Sequence, residues 1–389
     1  MIHNYLQIPR LTYAQINLRA IRHNLQQIRG LVSKNKFILP HRENLKRIDI
    51  LAVVKADAYG HGVKEVAKLL NKEGVNFFAV SDVAEGIYLR KTGIKKPILL
   101  LESSLPLYVK LIGRYNLTPT ICSLELARAL NQYAQTRKKN IPIHVKVDTG
   151  MGRLGIWHKD AFAFIQKLFA LKNLIIQGIY THFPAADTDP SFTREQIKHL
   201  YNLVTQLDKR GMIIPYIHAA NSMGLAGYQT RILNLVRPGL MLYGLYPKNS
   251  LRRKINLKPA LSVKSKVIFI KNIEKGRSVS YGRTFVASKK MRVATIPIGY
   301  NDGYLRCFSN QASVLIQGRR CPILGRVTMD QIVVDVSSLK NCSLGAEIVI
   351  LGTQGKETIS ADELACHAGT INYEIVCNLG NRLPRFYTF

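Results

Sequence analysis

An α/β fold is predicted for this 389-residue chain: an N-terminal (β/α)8 barrel of the TIM type followed by a C-terminal, mostly β domain. Three observations predict it. The chain exceeds the roughly 250–300 residues at which a single core stops growing, so two domains are expected. Eight short apolar runs precede residue 245 and alternate with segments of helical spacing. From Asn256 onward the pattern changes to strand-like alternation broken by Gly, Asn and Ser turns.

Taken in order, residues 12 to 30 read as an opening strand and an amphipathic helix. The first ~12 residues are expected to pack on the β domain. The basic, loop-like stretch near residues 34 to 48 is expected to protrude. The runs ILAVV, NFFAV, KPILLL, LTPTI, IPIHVKV, LIIQGIY, PYIHA and NLV then read as strands, continuously apolar because both faces are covered. Between most of them lie helical segments with charged faces, from VKEVAKLLNKEG to REQIKHLYNLVTQLDKRG. Eight such strands fit a closed parallel barrel better than an open doubly wound sheet. The barrel is assigned residues 1–255 and the β domain residues 256–389, where LSVKSKVIFIKNI, RVATIPIG, ASVLIQGR, QIVVDVS and AEIVILG read as strands.

Composition narrows the function. Apolar residues make up 47% and charged residues 21%, enough to bury a core throughout. No apolar run approaches the ~18 residues of a membrane span, and the first residues lack a secretory pattern, so a soluble cytoplasmic protein is expected. Six scattered cysteines show neither C-x-x-C pairs nor zinc-ligand spacing; buried thiols and no metal site are expected. The net charge of +32, from 56 basic against 24 acidic residues, invites a nucleic-acid partner. The basic residues nevertheless lie mostly singly, and the densest clusters, Arg137-Lys138-Lys139 and Arg252-Arg253-Lys254, carry no stacking-aromatic motif. A solvated surface with weak, salt-sensitive polyanion attraction follows, without a specific nucleic-acid site.

Almost every barrel run ends at a polar residue: Lys55, Ser81 with Asp82, Glu102, Thr120, Lys146 with Asp148, His182, Asn221 and Arg237. Barrel active sites sit at the C-terminal ends of the strands, which makes these the candidate site residues. A lysine there suits phosphate binding, general base work or a Schiff base with a carbonyl compound; an ion pair between Lys55 and Asp57 is the plain alternative. The Tyr59 hydroxyl and the Gly60-His61-Gly62 segment opening a helix offer groups that suit a phosphate.

The segment KADAYGHG (55–62) resembles the cofactor-lysine motif of the alanine racemase family, pyridoxal-phosphate enzymes built of a barrel and a β domain. Eight further segments resemble that family in the same order: VKVDTGMGRLG (145–155), THF (181–183), HAANS (218–222), RPGLMLYG (237–244), VSYGRTF (279–285), IGYNDGY (298–304), GRVTMDQI (325–332) and INYEI (371–375).

The resemblance implies a two-base mechanism. Lys55 would hold the cofactor and exchange the α-proton on one face of the substrate, and Tyr281, from the partner subunit, would act on the other. A tyrosine hydroxyl ordinarily titrates near ~10, so His182 and Arg237 are implied to favour the phenolate. Arg237 is matched to the residue facing the pyridine nitrogen. Tyr59, His182, Asn221, Ser222, Tyr373 and the backbone at Gly239 and Leu240 are matched to the remaining cofactor contacts. Arg153 is matched to the binder of the substrate carboxylate, and Lys146 to a lysine that can be carbamylated. Met329 and Asp330 would reach the site from the other subunit, and Tyr300 would narrow its entrance. The resemblance thus implies a homodimer that interconverts L- and D-alanine, supplying D-alanine for peptidoglycan; a racemase of broader amino-acid range is the alternative.

Overall fold

The structure, a computed structural model, describes residues 10–34, 48–228 and 232–389. Nearly all of the basic stretch near 34–48 and most of the first 12 residues lie outside the described residues. The chain divides into two compact units. One comprises residues 21–58 and 63–258; the other comprises residues 59–62 and 259–389 together with the opening residues up to Ala20.

The described chain opens with β1 (Tyr13–Asn17) and the helix Leu18–Ser33. The barrel follows: β2 (Asp49–Val53), β3 (Phe77–Val80), β4 (Ile98–Ser103), β5 (Thr118–Ile121) and β6 (Ile141–Asp148), then a two-residue β7 (Ile156–Trp157) beside β6, then β8 (Leu174–Tyr180), β9 (Tyr216–His218) and β10 (Leu235–Val236). All eight apolar runs form strands. They pair in parallel in the order β10-β2-β3-β4-β5-β6-β8-β9. Between β9 and β10 a side chain closes the seam. Asn234 Oδ1 accepts from Ile217 N (2.8 Å), its Nδ2 donates to Pro215 O (2.8 Å), and its backbone N donates to Ile217 O (3.1 Å).

Helices start soon after several strands because capping side chains sit there. Asp82 accepts from Glu85 N, Ser123 from Leu126 N and Asn221 from Gly224 N, each satisfying an amide that the first helical turn leaves unpaired. Continuous apolarity is an incomplete description of these strands. Thr120, His144, Lys146, His218 and Arg237 are all buried, forming a polar layer inside the barrel near the C-terminal strand ends. They are tolerated because most of their polar atoms bond one another or backbone carbonyls.

In the second unit, β11 (Leu261–Lys266) pairs antiparallel with β1, placing the opening strand in this unit's sheet. The run 261–273 is two strands, because it breaks at Val267–Ile268 before β12 (Phe269–Ile273). Then come β13 (Ser278–Val279), β14 (Phe285–Val286), β15 (Met291–Ile296), β16 (Ser313–Ile316), β17 (Arg319–Pro322), β18 (Ile332–Asp335), β19 (Glu347–Gln354), β20 (Glu357–Ile359) and β21 (Arg385–Thr388). The larger sheet runs β17-β16-β19-β11-β1-β21, a smaller one β12-β15-β18, and β13 and β14 form a hairpin. Ile273, Val279, Met291, Val293 and Leu324 make a small core behind that hairpin. Two helices, Ala361–Ala368 and Asn372–Cys377, add to this mostly β unit.

The cysteines correct an expectation. Cys321 and Cys342 are buried, but Cys307, Cys366 and Cys377 are exposed, because they fall on the outer sides of short helical turns. Among the described residues no helix is long and apolar enough to cross a membrane.

Candidate active site

Lys55 begins a turn of unusual hand. Ala56, Asp57, Ala58 and Tyr59 have φ of 52°, 52°, 54° and 54°, one turn of left-handed helix made without glycine. Each such residue costs roughly 1–2 kcal/mol, so neighbouring structure must hold it. Several bonds do. Ala58 N donates to Val54 O (2.9 Å), Ala56 N to Glu85 Oε1 (2.7 Å), and Val63 N to Asp57 Oδ1 (2.7 Å). The last bond gives Asp57 an amide that opens the helix Val63–Lys72. Gly60 (φ 77°) fits where a Cβ would lie 2.1 Å from Val376 O.

Arg237, 3% exposed, organises the mouth of the barrel. Its Nη1 donates to His218 Nδ1 (2.9 Å); its Nη2 donates to the carbonyls of Thr181 and Ala219 (2.9 Å each) and toward His182 Nδ1 (3.3 Å). Because an arginine only donates, His218 Nδ1 must accept, which puts the His218 hydrogen on Nε2. That nitrogen lies 2.8 Å from His144 Nδ1, so His144 accepts there and carries its own hydrogen on Nε2, on the side of Gln177. Burial supports these neutral tautomers: it pushes His144 down to about 3, and burial together with Arg237 holds His218 well below the usual histidine range. Burial also lowers Arg237, to about 10, leaving it a cation at neutral pH.

Lys146, 4% exposed, lies two residues after His144 on β6 and so points to the same face. Its Nζ makes no hydrogen bond among the described residues and sits 4.7 Å from the centre of the Tyr180 ring. Arg237 lies over the same ring at 5.2 Å, and the ring stacks on His218 at 4.6 Å. Burial, then Arg237 and Arg153, hold the Lys146 amine well below the usual lysine range. Arg153 is exposed on the loop after β6, which Asp148 folds by accepting from Gly150 N (2.8 Å) and Gly152 N. His182 completes the group: burial, Arg237, Lys146, Arg153 and Lys55, in that order, keep it uncharged. Four basic side chains from three strand ends, β2, β6 and β10, therefore act on one imidazole. Such a mouth favours anions.

The backbone at Gly239 and the Ser222 hydroxyl also meet. Ser222 Oγ accepts from Gly239 N (3.2 Å) and Met241 N (3.3 Å), with Asn221 capping the short helix Ser222–Gly227.

In the other unit, Tyr59 and Tyr373 approach with ring centres 6.1 Å apart. Tyr281 sits between Ser280 (φ 65°) and Gly282 (φ 70°) on a tight turn and is 73% exposed. Met329 (51%) and Tyr300 (43%) are exposed on neighbouring loops of that unit, and Asp330 bonds Arg382 (2.8 Å). Sequence reasoning missed His144, Tyr180 and His218. Their signal was their place on inward positions of β6, β8 and β9, which a search confined to strand ends overlooks.

Fold and site define an α/β-barrel protein with a lysine turn and a basic, anion-seeking mouth, followed along the chain by a mostly β unit. Residues 16–247 match the family described as "Alanine racemase, N-terminal domain", and residues 260–387 match "Alanine racemase, C-terminal domain". An alanine racemase of Halothermothrix orenii is 41% identical over 382 residues, 98% of each chain. The solved alanine racemase of Clostridium difficile 630 superposes with a TM-score of 0.89 at 36% identity, covering 98% of this chain and 97% of that one. A histidine racemase of Leuconostoc mesenteroides superposes at 0.87 with 28% identity, covering 99% and 100%. The chain belongs to the alanine racemase family.

Proposed function

We propose that the protein interconverts L- and D-alanine with pyridoxal phosphate as cofactor, supplying D-alanine for peptidoglycan. The carrying observation is the convergence of Lys55, Lys146, Arg153 and Arg237 around an uncharged His182, in a chain related over its whole length to alanine racemases. The donor set fits this cofactor. Its phosphate is assigned to Ser222 and the backbone at Gly239 and Leu240, with Asn221 capping that helix and with the hydroxyls of Tyr59 and Tyr373, which the motifs add. Its ring nitrogen is assigned to Arg237, whose remaining N–H groups can donate a hydrogen bond without surrendering a proton. When bound, pyridoxal phosphate supplies an electron-withdrawing ring that makes the α-proton of an attached amino acid removable.

The chain's own residues do the rest. Lys55 holds the cofactor and takes or returns the proton on one face. Tyr281 of a second copy does so on the other, and its outward presentation on a tight turn supports that reading. Arg153 holds the substrate carboxylate in its planar fork. Lys146, a buried amine driven toward its neutral form, is suited to take up carbon dioxide: the amine nitrogen bonds the carbon, a proton leaves, and the resulting carbamate anion faces Arg153. Met329 and Asp330 reach the site from the second copy, beside Tyr300, which narrows its entrance.

Mixing two inactive variants tests the arrangement. Lys55→Ala and Tyr281→Phe proteins, each reduced by about 10²–10⁴ in racemisation of L-alanine, should regain activity when dissociated and reassociated together, because one site of each mixed dimer is then intact. Failure to regain any would refute sites shared between copies, and an inactive wild type would refute the activity. The likeness to a histidine racemase supports a second reading, a racemase of broader range, which alanine, serine and histidine assayed side by side would separate.

A further inference from the structure

Three segments of the β-domain unit are tied at one guanidinium. Tyr300 opens a short turn, Tyr300–Asp302, whose amides bond the neighbouring loop: Tyr300 N to Thr328 O (3.0 Å) and Asn301 N to Met329 O (3.2 Å). Gly299 permits this approach, since a Cβ there would lie 2.2 Å from Thr328 O. Asp302 at the end of the turn is fully buried. Its Oδ2 accepts from Gly299 N (3.1 Å), while its Oδ1 accepts from Arg10 Nη1 (3.3 Å) and pairs with Arg382 Nε (3.6 Å). The same Arg382 donates from Nη1 to Asp330 Oδ1 (2.8 Å) on the Met329 loop. Its own segment is anchored by Arg385, which donates to the carbonyls of Gly380, Leu383, Leu379 and Gly60.

We propose that Arg382 is a positioning residue for substrate selection: by holding Asp302 and Asp330 on one rigid fork, it sets the spacing between Tyr300 and Met329 and hence the side chain the entrance admits. The physical reason is geometric. A guanidinium presents Nε and Nη1 at a fixed separation, so two carboxylates bound to it cannot drift independently, whereas a lysine would hold them at a single point. The proposal rests on reading Tyr300 and Met329 as entrance residues.

The test compares KM and kcat for L-alanine and L-serine in the wild-type holoenzyme, Arg382→Gln, Arg382→Lys and Met329→Ala. Arg382→Gln should raise the KM for alanine about tenfold with kcat within about twofold, and narrow the alanine-to-serine ratio of kcat/KM at least about fivefold; Arg382→Lys should move the ratio the same way by less. An unchanged ratio in Arg382→Gln, or a fall in kcat alone, would overturn the proposal. Should Arg382→Gln not fold, an unchanged ratio in Arg382→Lys does the same. Met329→Ala separates the two readings. If it shifts the ratio and the Arg382 variants do not, only the role of Arg382 fails; if it does not shift the ratio, the entrance reading fails.

Discussion

Gly178 faces His144 across the β6–β8 ladder, and a Cβ placed on it would lie 2.5 Å from His144 Cε1 and Nδ1. Ordinary contact needs about 3.5 Å, so in Gly178→Ala the imidazole must move by about 1 Å. His144 is fully buried and its Nδ1 is 2.8 Å from His218 Nε2, so a shift of that size strains or breaks the bond. Forced repacking costs roughly 1–3 kcal/mol and the lost hydrogen bond about 0.5–1.5 kcal/mol. Against them stands a gain of about 0.4–1 kcal/mol from a stiffer unfolded chain. The crowding wins, and Gly178→Ala should be less stable by about 2 kcal/mol in urea unfolding of the cofactor-free protein, with an unchanged m-value. Nitrogen NMR should show the His144 tautomer disturbed in the same variant while His218 keeps its hydrogen on Nε2, because Arg237 bonds His218 directly and reaches His144 only through the bond now strained. An alanine that stabilises by the entropic amount alone, with imidazole signals unmoved, would refute the packing argument.

Other expectations are as direct. Asn234→Leu should cost about 2–5 kcal/mol in urea unfolding, since it strips partners from Ile217 N and Pro215 O at the barrel seam. In carbon dioxide-free buffer the Lys146 amine, lowered by burial and by Arg237 and Arg153, should oppose folding. Its folded pKa lies below its unfolded one, so the penalty is greatest in acid and fades as pH climbs toward the ordinary lysine range. Lys146→Met should therefore be the more stable protein at low and neutral pH, with the gap closing in alkali, and bicarbonate should stabilise only the parent. Carbon NMR with labelled bicarbonate should show a carbamate signal that Lys146→Met lacks. Gly60→Ala, with its Cβ 2.1 Å from Val376 O and a left-handed φ, should cost about 2–5 kcal/mol and be measurable as a lowered urea midpoint.

The barrel was legible because strands covered on both faces have nowhere to put polar residues except at their ends. NFFAV and KPILLL therefore announce both the strand and where it stops. The same logic hid the inner layer, since His144 and His218 sit within runs that still read as apolar and their partners come from other strands. The break at Val267–Ile268 left no mark, because the continuous apolar run Val267-Ile268-Phe269-Ile270 carries strand-like character straight across it. Nothing in Ala-Asp-Ala-Tyr forecast a left-handed turn; only Gly60 and Gly62 hinted that the backbone there is unusual. At the site, the motifs nominated the candidate residues, whereas the tautomer order beneath Arg237 needed distances.

The lysine turn carries a last consequence. For L-residues the conformation of Ala56 and Ala58 is the sterically poorer hand, while for their mirror images it is the preferred one. A semisynthetic protein with D-alanine at 56 and 58 would hold this segment more comfortably than the natural chain. The amino acid whose making is proposed here is thus the one this lysine turn would hold with less strain.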